Sequence, residues 1–136
     1  AIAEGASVAF SNDVDQEINH NVFSRSPGWE RDLGLFPPGQ ERIETFDKAG
    51  RVKIFCSVHR RMRMEVFVAP NVYFAPVGVK AGGSATYSIA GVPAGTYTLK
   101  VFAQNNRLAA DDVQVTVKVG AAATADFKLT VRGGSQ

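Results

Sequence analysis

Short runs of alternating apolar and polar residues, cut by turn-forming residues, restrict the fold of this chain more than any other feature. A period of two sends successive side chains to opposite faces of a pleated strand, whereas a helix needs apolar residues every three to four positions. No segment keeps a helical period over three turns. Val, Ile, Thr, Phe and Tyr, which pack well on a strand, dominate the alternating runs. The alternation predicts strands over residues 7–10, 17–22, 42–46, 52–55 and 64–69, and a second set over 72–74, 85–89, 96–103, 113–119 and 124–131. Asp47-Lys48-Ala49-Gly50, Lys80-Ala81-Gly82-Gly83, Pro93-Ala94-Gly95, Asn105-Asn106 and Val119-Gly120 supply the turns. Many short strands at this spacing predict an all-β fold, a β-sandwich. Residues 24–40, with Pro27, Gly28, Pro37, Pro38 and Gly39 around Trp29, read as a long, partly packed loop holding a helical turn.

A length of 136 residues suits one domain, or two very small ones packed together. Composition shifts near Pro70: every Cys, His, Met and Trp lies before it, and small residues, Val and Thr follow. The chain therefore divides into a portion 1–69 and a portion 70–136. No apolar run approaches the roughly 18 to 20 residues of a membrane span. A net charge of +2, with no basic stripe interleaved by aromatics, argues against nucleic acid. A single cysteine excludes an internal disulfide and every metal site that needs two thiolates.

That cysteine and the only two histidines fall where one metal ion would use them. His20 stands in Asn19-His20-Asn21-Val22-Phe23, and Phe55-Cys56-Ser57-Val58-His59-Arg60-Arg61-Met62 packs a thiolate, an imidazole and a thioether together. Cys56 ends a predicted strand, His59 lies in the loop after it, and the chain resumes as a strand at Met64. Two imidazoles and a thiolate in a plane, with a weak axial thioether, form the blue-copper electron-transfer set. A lone Cys is most often a small buried hydrophobe. The Cys-x-x-His-x-x-Met spacing with His20 upstream favours ligation instead.

Asn12, Asp13 and His20-Asn21-Val22, followed by Cys56-x-x-His59-x-x-Met62, resemble the cupredoxins, the small blue copper proteins. The short ligand loop is similar to the amicyanin type and to cupredoxin-like proteins of methylamine utilisation, and the likeness covers about residues 4–69. It implies a cupredoxin-like Greek-key β-sandwich with one type 1 copper per chain. His20, Cys56 and His59 would be equatorial ligands and Met62 axial; Met64, which matches the longer plastocyanin-like loop, competes with Met62. Asn21 would tie the two ligand loops together and hydrogen-bond near the thiolate. The implied activity is one-electron transfer between Cu(I) and Cu(II), in the periplasm or otherwise outside the cytoplasm. Arg60, Arg61 and Arg63 would then offer a positive rim to a redox partner with an acidic docking face. Catalysis is not expected: no open metal position is evident, and Ser57 beside His59 lacks an orienting acid and an oxyanion hole. A copper carrier or sensor using the same ligands, and a β-sandwich interaction module without redox role, are the alternatives.

The family carries a further strand or two before the segment matching residues 7–10, and only six residues precede it here. The missing edge is expected from the C-terminal half, from another chain in an oligomer, or from a segment outside this sequence. In the second half, Val92-Pro93-Ala94-Gly95-Thr96-Tyr97 resembles the turn of carboxypeptidase-regulatory or prealbumin-like β-sandwich modules, over about residues 71–131. A structural or partner-binding role is implied there, with Asp111-Asp112 capping a loop rather than holding calcium.

Overall fold

The computed structural model describes residues 1–15, 17–104 and 107–132. The chain is all-β, with no helix among the described residues, and falls into two compact units, Ala1–Ser88 and Ile89–Gln136. In the first unit the strands are β1 (Ile2–Ala3), β2 (Ala6–Ser11), β3 (His20–Ser26), β4 (Trp29–Phe36), β5 (Glu41–Phe46), β6 (Gly50–Phe55) and β7 (Arg63–Ala69). The second contains β8 (Gly95–Leu99), β9 (Leu108–Ala109), β10 (Val113–Val117) and β11 (Thr130–Val131).

Strands of the first unit form a five-stranded sheet in the order β1-β7-β6-β3-β4 and a two-stranded sheet β2-β5. Their inward residues make a sandwich core: Phe10 and Phe46 meet Trp29, Phe36, Val52, Ile54, Val66 and Val68. Trp29 stacks on Phe46 with ring centroids 4.8 Å apart and lies 6.2 Å from Phe10. Each such side chain stabilises the fold by roughly 1.5–3 kcal/mol. An exposed pair such as Arg25–Glu30, at 3.4 Å, contributes at most about 1 kcal/mol. The core, not the surface charge, holds the unit.

Residues 24–40 are not a loop and hold no helical turn. They contain the end of β3, a two-residue turn at Pro27-Gly28, and all of β4, with Ser26 opposite Trp29. Pro27 presets its own backbone angle, and Gly28 takes φ of +91°, which favours glycine. The edge expected from elsewhere is occupied by the chain's own first residues: Ile2 and Ala3 lie parallel to Val68 and Ala69 of β7. The strand expected over 17–22 begins only at His20. No strand forms over 72–74 or 85–89. Pro70, Pro76, Pro93 and four glycines punctuate residues 70–94, and proline removes a ladder donor.

In the second unit β8 and β10 pair antiparallel, with Tyr97 opposite Val115, and β9 pairs with β11. The strand expected over 96–103 stops at Leu99, and that over 124–131 is limited to Thr130–Val131. Tyr97 donates its hydroxyl to the Pro93 carbonyl at 3.0 Å, closing the turn that the Val-Pro-x-Gly-x-Tyr motif encodes. Asp112 pairs with Lys100 at 2.9 Å. The Asn105-Asn106 turn lies outside the described residues. No described residue of this unit is fully buried. Among the described residues no helix is long and apolar enough to cross a membrane.

Candidate metal centre

Along β6 the inward series runs Val52, Ile54, and the next step of two reaches Cys56, which is buried just beyond the strand end. Lys53 and Phe55 face the other way, where Phe55 meets Phe23 of β3 at 5.8 Å. Trp29 belongs to the core stack. His20 opens β3, and His59 lies in the turn between β6 and β7. Both histidines are half-buried.

The donor atoms of these three residues converge. His20 Nδ1 lies 3.8 Å from Cys56 Sγ, His59 Nδ1 lies 3.9 Å from it, and the two nitrogens are 3.2 Å apart. Among the described residues this is the one group of three or more His, Cys, Asp or Glu side chains close enough to share a metal ion. The triangle can be tested for fit. A point about 2.0 Å from each nitrogen and about 2.3 Å from the sulfur, ordinary imidazole and thiolate bond lengths, sees the three atoms at roughly 105°, 125° and 130°. Those angles sum to within about ten degrees of a planar arrangement. The residues fit a trigonal ion.

Main-chain bonds close the loop: the Cys56 N–H donates to the Met62 carbonyl at 3.2 Å, and the Met62 N–H to the His59 carbonyl at 2.9 Å. Met62 thus stands across from Cys56, continuing the β6–β7 ladder in which Ile54 faces Met64. Both methionine side chains are exposed.

Asn21 is buried beside His20 and grips the same loop. Its Oδ1 accepts from the Ser57 N–H at 2.6 Å and the Ser57 hydroxyl at 2.9 Å, while its Nδ2 donates to Asp32 Oδ1 at 3.3 Å. Burial works to raise the Cys56 thiol, yet hydrogen bonds from the main-chain N–H groups of Asn21, His59 and Val58 and from the His59 side chain outweigh it. The thiol is held below its ordinary value. That favours the thiolate, which is the form that binds metal.

The link between Asn21 and the Cys56 loop, implied by resemblance, is therefore present. Two further residues carry the site without an expected role. Asn12 donates from Nδ2 to the carbonyls of Ile18 and Phe36, at 3.0 and 3.1 Å, and so pins the segment entering His20. Asp32 braces Asn21 and also accepts from the Gly34 N–H at 3.0 Å. A short polar residue two before a glycine was the available signal for Asp32. No family model, curated protein or solved structure matches the chain.

Proposed function

We propose that this protein is a type 1 copper protein of cupredoxin kind that carries single electrons outside the cytoplasm, in the periplasm or an equivalent compartment. The carrying observation is the triangle of two imidazole nitrogens and one sulfur, with edges of 3.2, 3.8 and 3.9 Å, wide enough for an ion at ordinary bond lengths to lie close to its plane. Structural zinc prefers four ligands in a tetrahedron, whereas the trigonal His₂Cys set with a weak thioether is the blue-copper pattern. Bound copper would supply a Cu(I)/Cu(II) couple. Met62 is the favoured axial ligand because its main chain faces Cys56 directly, while Met64 faces Ile54 one inward pair away.

The chain's own residues keep such a site from relaxing. Cys56 and Asn21 are buried, which limits water, and Asn21 holds Ser57 against movement. Arg60, Arg61 and Arg63 are exposed around the His59 loop and suit a partner with an acidic face.

Titration of the metal-free protein with Cu(II), beside Cys56→Ser, tests the proposal. An intense visible thiolate-to-copper band, saturating at one copper per chain and lost in the variant, is expected. In the same loaded protein, oxidation by an anionic acceptor should slow as salt rises. Copper bound without the band would assign the site to a copper carrier or sensor, and no binding by folded protein would leave a β-sandwich interaction module.

A further inference from the structure

We propose that Asp32 is a positioning residue for the ligand loop, acting through the side-chain amide of Asn21 on Ser57. Only its consequence for copper rests on the function proposed above; the hydrogen-bond relay itself does not.

The relay begins at an irregularity in the hairpin. Between the pairs Asn21–Leu35 and Phe23–Asp32, the single residue Val22 faces two residues, Leu33 and Gly34. Gly34 has φ of +68°, as a bulge glycine does. Asp32 Oδ1 accepts the Gly34 N–H at 3.0 Å and fixes this bulge, and the same oxygen accepts Asn21 Nδ2 at 3.3 Å. The bulge aims the carboxylate at the back of the ligand site.

The two ends of the Asn21 amide then determine its direction by chemistry alone. An ionised carboxylate only accepts hydrogen bonds, so the amide nitrogen must face Asp32. A main-chain N–H only donates, so the amide oxygen must face Ser57, where it also takes the hydroxyl. Asn21 is 6% exposed, so water is a poor substitute for either partner. Without Asp32 the amide nitrogen loses its partner and one of the two constraints on its direction disappears. Ser57 is the residue after Cys56, and its N–H is engaged by Asn21 at 2.6 Å. Cys56 stands directly before that anchor, with its sulfur 3.9 Å from His59 Nδ1. By fixing where Ser57 stands, Asp32 helps set the position of the sulfur, a kind of control that tunes metal sites.

The test compares amide hydrogen exchange of the metal-free full chain with Asp32→Ala, Asp32→Asn and Asp32→Ser. A single oxygen takes both bonds, so the Asn variant can replace it, whereas Ser can hold the Gly34 turn but is too short for Asn21. Exchange at Ser57 should quicken about tenfold in the Ala and Ser variants and stay within about threefold in the Asn variant. Exchange at Val52 and Val66 should not change. Gly34 should stay protected with Ser and lose protection with Ala. Ser57 exchanging at the wild-type rate in the Ser variant would overturn the proposal. So would uniform acceleration of β6 and β7, which indicates general loosening, or an Asn variant that behaves like Ala. With Cu(II) added, affinity should fall about ten- to a hundredfold in the Ala and Ser variants and hold in the Asn variant. If the wild type binds no copper, the copper proposal fails and the Ser57 exchange still decides the role of Asp32.

Discussion

Asn12 shows how one amide can place a histidine it does not hydrogen-bond. It is 4% exposed, its Nδ2 is shared by the carbonyls of Ile18 and Phe36, and Phe36 is the residue across from His20 in the β3–β4 register. Its main chain adds two more bonds: Asn12 N–H to the Gln40 carbonyl at 3.0 Å, and Gly39 N–H to the Asn12 carbonyl at 2.7 Å. Asn12→Asp has nearly the same shape but sets a carboxylate oxygen against two carbonyl oxygens. We expect it to cost roughly 3 kcal/mol at neutral pH, and Asn12→Ala about 1–3 kcal/mol with little pH dependence. The sign of the pH effect follows from the surroundings. Burial among acceptors disfavours the charged form, so the introduced carboxyl titrates higher in the folded than in the unfolded state. The deficit is then smallest below the ordinary carboxyl value of about 4 and grows as pH rises through the folded value. Urea unfolding of both variants and wild type at pH 4 and pH 8 checks it. A deficit for Asn12→Asp that shrinks towards pH 8 would refute this account.

Among the elements, the β3–β4 hairpin carries His20, Asn21 and Asp32 and was the part least legible in the sequence. Its turn depends on Gly28: φ is +91°, and a Cβ there would lie 3.0 Å from Lys48 Cδ. Gly28→Ala should destabilise the protein by roughly 1–3 kcal/mol, mainly through the backbone angle. Adding Lys48→Ala, which removes Cγ and Cδ but keeps the Cβ at 3.2 Å, should recover only some of the steric cost, measured by thermal unfolding of the two variants. Full recovery would mean that the contact, not the angle, is what needs glycine. In the sequence, Pro27, Gly28, Pro37, Pro38 and Gly39 look like one irregular stretch. In the structure they are two separate turns flanking an eight-residue strand. The charges of Glu30, Arg31 and Asp32 hid that strand, and the bulge at Leu33-Gly34 broke the alternation that would have marked it. Strands β2, β6 and β7 were legible because inward apolar residues alternate along most of each, whereas β5 turns Arg42, Glu44 and Phe46 inward and leaves Ile43 exposed. The cluster of His20, Cys56 and His59 was legible because Cys and His are rare here. Asp32 and Asn12 each act through two side-chain hydrogen bonds, and apart from the Asp32–Gly34 turn these are set by tertiary placement that no local pattern encodes.

At the scale of the whole molecule, the two units differ in what holds them. Eight apolar side chains are buried together in the first, whereas in the second β8 and β10 form a two-stranded sheet whose inward residues are only half-buried. A pair of strands without a buried face is marginal by itself. Amides of β8 and β10 should therefore exchange through small local openings, and those of β6 and β7 through openings close to global unfolding. A ligand that binds only the folded state stabilises by mass action, by about 2.7 kcal/mol when its free concentration is a hundred times its dissociation constant. Copper at that excess should slow exchange at Val52, Ile54, Val66 and Val68 about a hundredfold, because their opening dismantles the Cys56 loop. Tyr97 and Val115 should change little, because local opening at those positions leaves His20, Cys56 and His59 in place. Exchange followed by mass spectrometry with Cu(I), and again with Cys56→Ser, separates the cases. Equal slowing across both units would mean that they open as one cooperative body, and slowing that survives Cys56→Ser would move the copper elsewhere. Slowing confined to the first unit and lost in the variant would tie the metal, the ligand loop and the sandwich core into one folding unit.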